Sequence, residues 1–100
     1  MQNEFFEWDD TKAERNYREH GVSFEEASTV FGDDYMLSYP DDRNDYGEQR
    51  FFAYGMSSYG RMLTVIWTPR GERCRLISSF PPEPQQRKDY EKRRYGHRHG

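Results

Sequence analysis

The stretch MLTVIW, residues 62–67, decides the fold because it is apolar on both faces of an extended chain. Side chains alternate between the two faces of a strand, and a strand that is apolar on both sides is buried on both sides. The pattern therefore predicts a central strand of a sheet. We expect Leu63 and Val65 to be buried, and a solvent-facing edge position for either would contradict the assignment.

Three further segments predict the neighbouring strands. They are YMLSY (35–39), RFFAYGM (50–56) and RCRLISS (73–79). The connections around residues 57–60 and 68–72 are short and rich in turn-forming residues, so successive strands form an antiparallel meander. A polar loop follows the first of these strands, and the aromatic segment EFFEW (4–8) predicts one more short strand near the N-terminus.

Two helices are predicted between EFFEW and the meander. The first, TKAERNYREH at 11–20, can be capped by a polar side chain at position 9, 10 or 11, and Gly21 ends it. The second begins with the capping box of Ser23 and Glu26. The carboxylates of Glu25 and Glu26 fit the first turn of this helix, where the helix dipole favours negative charge.

The predicted fold is α+β, with two N-terminal helices packed on one face of a mainly antiparallel sheet of four or five strands. The segment PPEPQQRKDYEKRRY (81–95) predicts a possible C-terminal helix. It has Tyr90 and little else to bury, so we expect it to be loosely docked or frayed. Residues 1–95 are predicted to form a single domain, and 96–100 a disordered tail.

Composition limits the location of the chain and the nature of its core. Only 33% of residues are apolar but 17% are aromatic, so the core is built from a few large side chains. No apolar run approaches the roughly 18 residues of a membrane span, and the acidic N-terminus lacks a signal-like stretch. We predict a cytoplasmic protein without membrane contact, in which the single cysteine, Cys74, has a packing role.

The net charge of −3 hides a marked asymmetry along the chain. Residues 1–60 contain five basic and fourteen acidic residues, whereas 61–100 contain ten basic and four acidic ones. A chain of this kind can present a basic surface to nucleic acid and still be acidic as a whole.

Four arginines predict a phosphate-binding group. Arg73 and Arg75 share one face of a strand, where their charges repel unless an anion lies opposite. Arg50 and Arg61 open the two preceding strands, so at least three of the four guanidinium groups are expected to converge on one phosphate. Arg61 joins the group in only one strand register, and Arg50 points either to the group or to the rim. The alternative is that each forms a salt bridge with a neighbouring carboxylate such as Glu48.

His20 is a candidate general base, because imidazole exchanges protons near neutral pH. It also ends the first helix, so a structural corner is the alternative interpretation. Lys12, on the same helix, is either an RNA contact or a solvated lysine. His97 and His99 have no further ligands nearby in the sequence, and we predict neither a metal site nor another cofactor.

Three segments of the sequence resemble the BrnT family of type II toxins: 6–31 (FEWDDTKAERNYREHGVSFEEASTVF), 59–71 (YGRMLTVIWTPRG) and 72–78 (ERCRLIS). The resemblance spans about residues 5–80. It implies a RelE-like fold and a metal-independent endoribonuclease that cleaves messenger RNA. It also implies a BrnA-like ribbon-helix-helix antitoxin, which neutralises the toxin and through which the complex reaches operator DNA.

The resemblance guides the assignment of roles. The predicted catalytic residues are Arg50, Arg61, Arg75 and His20, and the predicted RNA-binding residues are Lys12, Arg70 and Arg73. The antitoxin is expected to cover the basic sheet face, because an inhibitor is most effective when it occupies the phosphate-binding site.

The sequence departs from the family at two positions. Phe80 stands where the family has an arginine, and Glu19 where a lysine commonly precedes the histidine. Losing one transition-state donor typically costs about 10²–10³ in rate. Two functions are therefore weighed: a ribonuclease toxin that cleaves messenger RNA, and a catalytically weak or inactive binding module that pairs with the antitoxin and controls the operon.

Overall fold

The computed structural model describes residues 1–96 and consists of a five-stranded sheet with helices on both faces. The elements are β1 (Phe6–Glu7), α1 (Asp10–His20), α2 (Phe24–Ser28), a 3₁₀ turn (Thr29–Gly32), β2 (Leu37–Asp41), β3 (Arg50–Met56), β4 (Met62–Arg70), β5 (Arg73–Phe80) and α3 (Pro84–Tyr95). The α+β prediction is confirmed. His97 and His99 lie outside the described residues, as does the predicted tail apart from Gly96, which ends α3.

The strands are ordered β1-β5-β4-β3-β2. The pairs β2–β3, β3–β4 and β4–β5 are antiparallel, and β1 runs parallel to β5. The strand that contains MLTVIW is therefore the central one, and Leu63 and Val65 are fully buried. This confirms the prediction made from its two apolar faces.

The two N-terminal helices cover one face of the sheet, as predicted. Trp8 and Phe24 meet edge to face with ring centroids 5.8 Å apart. They join a buried cluster that contains apolar residues from α2, the 3₁₀ turn and strands β3, β4 and β5. Burial of these large side chains is the main stabilising contribution on this face.

Side-chain caps fix the ends of α1 and α2. Asp9 caps α1 by accepting a hydrogen bond from the backbone of Lys12, and Gly21 ends the helix in the left-handed conformation at φ 69°. Ser23 caps α2 by accepting from the backbone of Glu26. The Glu26 side chain instead accepts hydrogen bonds from Ser57 and Arg61, which lie in the connection between β3 and β4. Only the Ser23 half of the predicted capping box is therefore formed.

The third helix packs on the other face of the sheet through Tyr90. Tyr90 is 1% exposed and packs with Tyr54 and Met62. Its hydroxyl donates to the carboxylate of Asp33, and Arg94 donates to the same hydroxyl over 2.9 Å. The helix is not frayed, because the second face of β3 and β4 supplies the apolar surface that buries Tyr90. Tyr90 is the buried side chain of α3, as the sequence predicted.

The Asp33 carboxylate connects the 3₁₀ turn, β3 and α3. Burial opposes its ionisation, but hydrogen bonds from Tyr90 and from the backbone of Met56 keep its pKa below the usual range. Gly55 is needed beside it, because a Cβ atom at this position would lie 2.9 Å from Oδ2 of Asp33.

Among residues 1–96, no helix combines the length and the apolar character that crossing a membrane requires.

We expect Tyr90→Phe to lower the free energy of unfolding by about 1.5–3 kcal/mol, because it removes a hydrogen bond to a charged acceptor while preserving the ring. Urea unfolding of the two proteins measures the difference. Tyr59→Phe is the matched control, since Tyr59 is 66% exposed and its hydroxyl should contribute little. Equal stability of Tyr90→Phe and the wild type would contradict this role of the hydroxyl.

Candidate functional site

A polar cleft lies between α1 and the part of β5 that β1 does not cover. It has a volume of about 200 Å³ and is lined by Lys12, Arg15, Asn16, Glu19, Ile77 and Ser78. We call it the α1–β5 cleft. The helical lining residues are spaced i, i+3, i+4 and i+7, which places them on one face of α1.

Asn16 holds the two walls of this cleft together. It is 5% exposed, and its Nδ2 donates to the carbonyls of Val22 and Ser79 at 2.9 and 2.8 Å. Its Oδ1 accepts from the backbone of Ser79 at 3.1 Å and from the hydroxyl of Ser78 at 3.2 Å. The amide thus fixes α1 against β5 with both of its polar atoms in use.

A β-bulge shapes the β5 wall. The register between β4 and β5 shifts between Ile66 and Trp67, so Ile77 is an extra residue without an opposite partner. Strict alternation along β5 would place Ser79 on the face of Arg73 and Arg75. The bulge instead turns Ser79 into the interior, where it is fully buried.

Two cations beside the cleft have no side-chain partner among the residues that the structure describes. Lys12 and Arg15 are both exposed. The charge of Lys12 also acts on Asp9, whose pKa is lowered chiefly by the backbone hydrogen bond from Lys12 and to a lesser extent by the charges of Lys12 and Arg75. Lys12 and Arg15 can therefore bind an anion without breaking an existing ion pair.

His20 lies at the end of α1, next to the cleft residue Glu19. Its Nε2 is 4.0 Å from a carboxylate oxygen of Glu19, and 37% of its side chain is exposed. The ring of Phe80 lies 5.6 Å from the imidazole ring, centroid to centroid. The aromatic residue at the position of the family arginine is thus a direct neighbour of the predicted general base.

Arg61 lies close to His20, at the corner between α1 and α2. Its guanidinium donates to both carboxylate oxygens of Glu26, at 2.8 and 2.7 Å, and to the carbonyl of Gly21 at 2.8 Å. The hydrogen bonds from Arg61 hold the pKa of the buried Glu26 below its usual range, against the effect of burial, and Ser57 assists. Arg61 therefore has a structural role at this corner.

The other predicted arginines lie towards the opposite end of the sheet. Arg75 forms an ion pair with Glu7 at 2.7 Å, and Arg73 donates to the carbonyl of Asn3 at 2.7 Å. Arg70 lies opposite Arg73 on the neighbouring strand.

Arg50 pairs with Glu48 at 3.1 Å and lies over the ring of Tyr46, so for this arginine the salt-bridge alternative is confirmed. Arg61 and Arg70 stand at the two ends of β4. At a rise of about 3.3 Å per residue, their Cα atoms lie about 30 Å apart. Arg61 is therefore too far away to share one phosphate with Arg73. Arg50, Arg73 and Arg75 lie towards the same end of the sheet, and the roles of all four arginines stay predictions.

Sequence reasoning missed four residues of this region: Arg15, Asn16, Glu26 and Ser78. For the first two a signal was present, because Arg15 and Asn16 share a helix face with Lys12. Glu26 was assigned to helix capping, whereas its partner Arg61 is 35 positions away in the sequence. Ser78 enters the site because of the bulge, which no local pattern indicated.

Two other features of the described residues bear on possible chemistry. Among residues 1–96, no three His, Cys, Asp or Glu side chains are grouped so as to hold a metal ion. Cys74 lines an apolar recess of about 380 Å³ with Phe5, Phe6 and Phe31 among its neighbours. Burial raises the pKa of its thiol, which disfavours the nucleophilic thiolate and agrees with a packing role.

Comparison with known proteins gives a family assignment. Residues 8–81 match the family described as the ribonuclease toxin BrnT of type II toxin-antitoxin systems. The chain is also similar to the crystal structure of the Brucella abortus ribonuclease toxin BrnT, with a TM-score of 0.61 and 22% identity over 79% of this chain and 97% of that one. This similarity concerns the fold. No curated protein gives a significant match.

The family match contains α1, β5 and every residue that lines the α1–β5 cleft. It covers well over half of the chain and confirms the resemblance noted in the sequence. The protein belongs to the BrnT family of ribonuclease toxins of type II toxin–antitoxin systems.

Proposed function

We propose that the chain is a metal-independent endoribonuclease that cleaves messenger RNA at the α1–β5 cleft. The observation that carries this proposal is the pair of unpartnered cations, Lys12 and Arg15, beside a polar cleft whose walls are fixed by Asn16. Cleavage of RNA without a metal requires charge stabilisation at the scissile phosphate from groups held in position. Lys12 and Arg15 supply that charge in this proposal.

In the proposed reaction, the 2′ oxygen of the ribose attacks the adjacent phosphorus atom, and the bond from phosphorus to the 5′ oxygen of the next nucleotide breaks. His20 takes the proton from the 2′ hydroxyl as the general base. The departing 5′ oxygen takes a proton from solvent, and the products are a 2′,3′-cyclic phosphate and a 5′ hydroxyl. Arg61 holds the corner that carries His20.

Arg15→Ala is expected to lower the rate of RNA cleavage at least tenfold, which is about 1.4 kcal/mol of transition-state stabilisation. Arg18→Ala is the matched control, because Arg18 is exposed on the same helix but does not line the cleft. Cleavage of labelled RNA with EDTA present measures both variants. Equal rates for the two variants would place the reaction outside this cleft, and loss of activity on adding EDTA would refute metal independence.

A second candidate is a binding module with little or no catalysis. It is favoured by the ion pairs that occupy Arg50, Arg61 and Arg75, and by the Phe80 ring beside His20. Absence of RNA cleavage at every ionic strength, together with intact binding of the antitoxin, would support this function.

We further propose that the antitoxin is a ribbon-helix-helix protein and that the toxin contacts operator DNA through it. The support is the family, because a type II toxin has a protein antitoxin. We expect the antitoxin to cover the predicted basic groups Arg61, Arg73 and Arg75, with an affinity that falls as salt rises. A complex that leaves all three arginines open to solvent would contradict this arrangement.

A further inference from the structure

A second groove lies on the other side of the molecule, between α3 and the edge strand β2. It has a volume of about 560 Å³ and is lined by Leu37, Tyr39, Asp89, Lys92 and Arg93. We call it the α3–β2 groove. The family match ends at residue 81, so α3 lies beyond the matched region. None of the residues proposed for cleavage lines this groove.

Exposed tyrosines lie along the groove and close to it. Tyr39 is 46% exposed, and its ring is supported by Tyr54 with centroids 5.8 Å apart. Tyr35, just before β2, is 43% exposed, and the guanidinium of Arg94 lies 5.5 Å from its ring centroid. Exposed aromatic rings beside cations are typical of surfaces that bind single-stranded nucleic acid, because every base can stack on a ring.

The positive charge of α3 is complementary to the negative charge of a polyanion. The helix carries five basic and two acidic residues in a chain whose net charge is −3. Lys92 and Arg93 line the groove, and the Lys92 ammonium group has no partner among the described residues. Asp89 also lines it and accepts a hydrogen bond from Gln85 over 3.0 Å. Its carboxylate can accept further hydrogen bonds, from a base amino group or a ribose hydroxyl.

Hydrogen bonds from α3 join the two walls of the groove. Arg93 donates to the carbonyl of Tyr35 over 3.1 Å, which ties α3 to the segment before β2. The buried Tyr90 anchors the same helix to Asp33. Arg93 and Tyr39 already contact other groups, so these two side chains lose less conformational entropy when a ligand binds.

We propose that the α3–β2 groove binds single-stranded RNA as a second contact for the substrate. Lys92 and Arg93 contact phosphates, and Tyr39 stacks on a base. This inference rests on the proposed function, because the substrate is the same RNA. The groove is separate from the α1–β5 cleft, so binding and cleavage are measured independently.

The test uses the full chain and a fluorescein-labelled 2′-O-methyl RNA of about 10 nucleotides, within the range of about 4–16 nucleotides bound by single-strand modules. This RNA has no free 2′ hydroxyl and is not cleaved. Fluorescence anisotropy compares Lys92→Ala/Arg93→Ala with Arg87→Ala/Lys88→Ala. The two variants remove the same charge from the same helix, but the second pair does not line the groove.

We expect the groove variant to bind about tenfold more weakly. Each phosphate contact on a single strand contributes about 0.7 to the slope of log affinity against log salt, so losing two contacts should reduce the magnitude of that slope by about 1.4. We expect the control pair to change affinity less than about twofold. Tyr39→Ala should weaken binding about fivefold or more, and Tyr39→Phe should restore it, because the ring alone stacks.

Equal losses for the two charge pairs would overturn the proposal, because binding would then depend on overall charge. The proposal would also be overturned if the groove variant bound RNA like the wild type but no longer bound the antitoxin. The groove would then be assigned to a protein partner. A wild-type chain that binds this RNA through the groove but cleaves no RNA would refute the proposed catalysis and leave the groove assignment standing.

Discussion

Asn16→Ala should lower the free energy of unfolding by about 3–4 kcal/mol, since each buried polar group left without a partner costs about 1–3 kcal/mol. Asn16 satisfies the carbonyls of Val22 and Ser79 and the backbone N–H of Ser79, and all of these contacts lie in the interior. The substitution removes the side chain that serves all three groups. Some of the loss will be recovered by relaxation, which is why the expected total lies at the lower end of the sum of the individual costs.

Chemical denaturation of the wild type, Asn16→Ala and Asn16→Asp tests this expectation. Asn16→Asp keeps the shape and the acceptor but replaces the amide donor with an anionic oxygen that faces two carbonyls, so we expect a comparable loss. Glu14→Ala, an exposed position on the same helix, is the control and should change stability by less than about 0.5 kcal/mol. If Asn16→Asp is as stable as the wild type, packing and not hydrogen bonding explains the role of this residue.

Arg61→Ala is expected to cost about 2 kcal/mol of stability at neutral pH. Breaking a buried ion pair costs about 3–5 kcal/mol, but the Arg61 side chain is 45% exposed, so water screens part of the interaction. Glu26 is the buried partner and is left with an unpaired charge.

The stability loss of Arg61→Ala should depend on pH. The pKa of Glu26 is lowered in the folded state, so its contribution is complete above the unfolded value of about 4.5 and is lost as the pH falls through the folded pKa. The difference between wild type and variant should therefore narrow below about pH 4.5. A difference that stays constant from pH 7 to pH 3 would show that the ion pair does not cause it.

Arg50→Ala is the control for this experiment. Arg50 also pairs with a glutamate, but that partner, Glu48, is 34% exposed. Exposed ion pairs contribute about 0–1 kcal/mol, so we expect a small effect. In addition, Glu26→Gln should restore part of the stability of Arg61→Ala, because it removes the unpaired charge, and the double-mutant cycle gives the coupling energy.

The sequence was sufficient to predict the sheet and the first two helices because their signals are local. The apolar stretch in β4 has one consistent interpretation, and the ends of α1 and α2 are marked by Gly21 and Ser23. The docking of α3 could not be predicted in this way. Tyr90 is the buried side chain of its segment, and the surface that buries it comes from strands that lie far away in the sequence.

The site was predictable in part for the same reason. Lys12 and His20 lie on one helix, so their common position beside one sheet edge follows from α1 alone. Arg61 does not lie with the other three arginines, because the starts of the antiparallel strands β4 and β5 are at opposite ends of the sheet. The bulge at Ile77 adds a residue without changing the apolar pattern, so period-two reasoning placed Ser79 on the wrong face.

The hydrogen bonds from Asn16 to Ser79 also set when the site can form during synthesis. They join residues 63 positions apart, and the pairing of Phe6 with Cys74 in the parallel strands β1 and β5 closes a comparably long loop. Contacts of such sequence separation form after local ones, because the loop must be closed before the contact contributes. On the ribosome, α1 with Lys12 and Arg15 is made early, but its opposite wall is made only when residues 77–79 of β5 have been synthesised. The incomplete nascent chain therefore has no α1–β5 cleft.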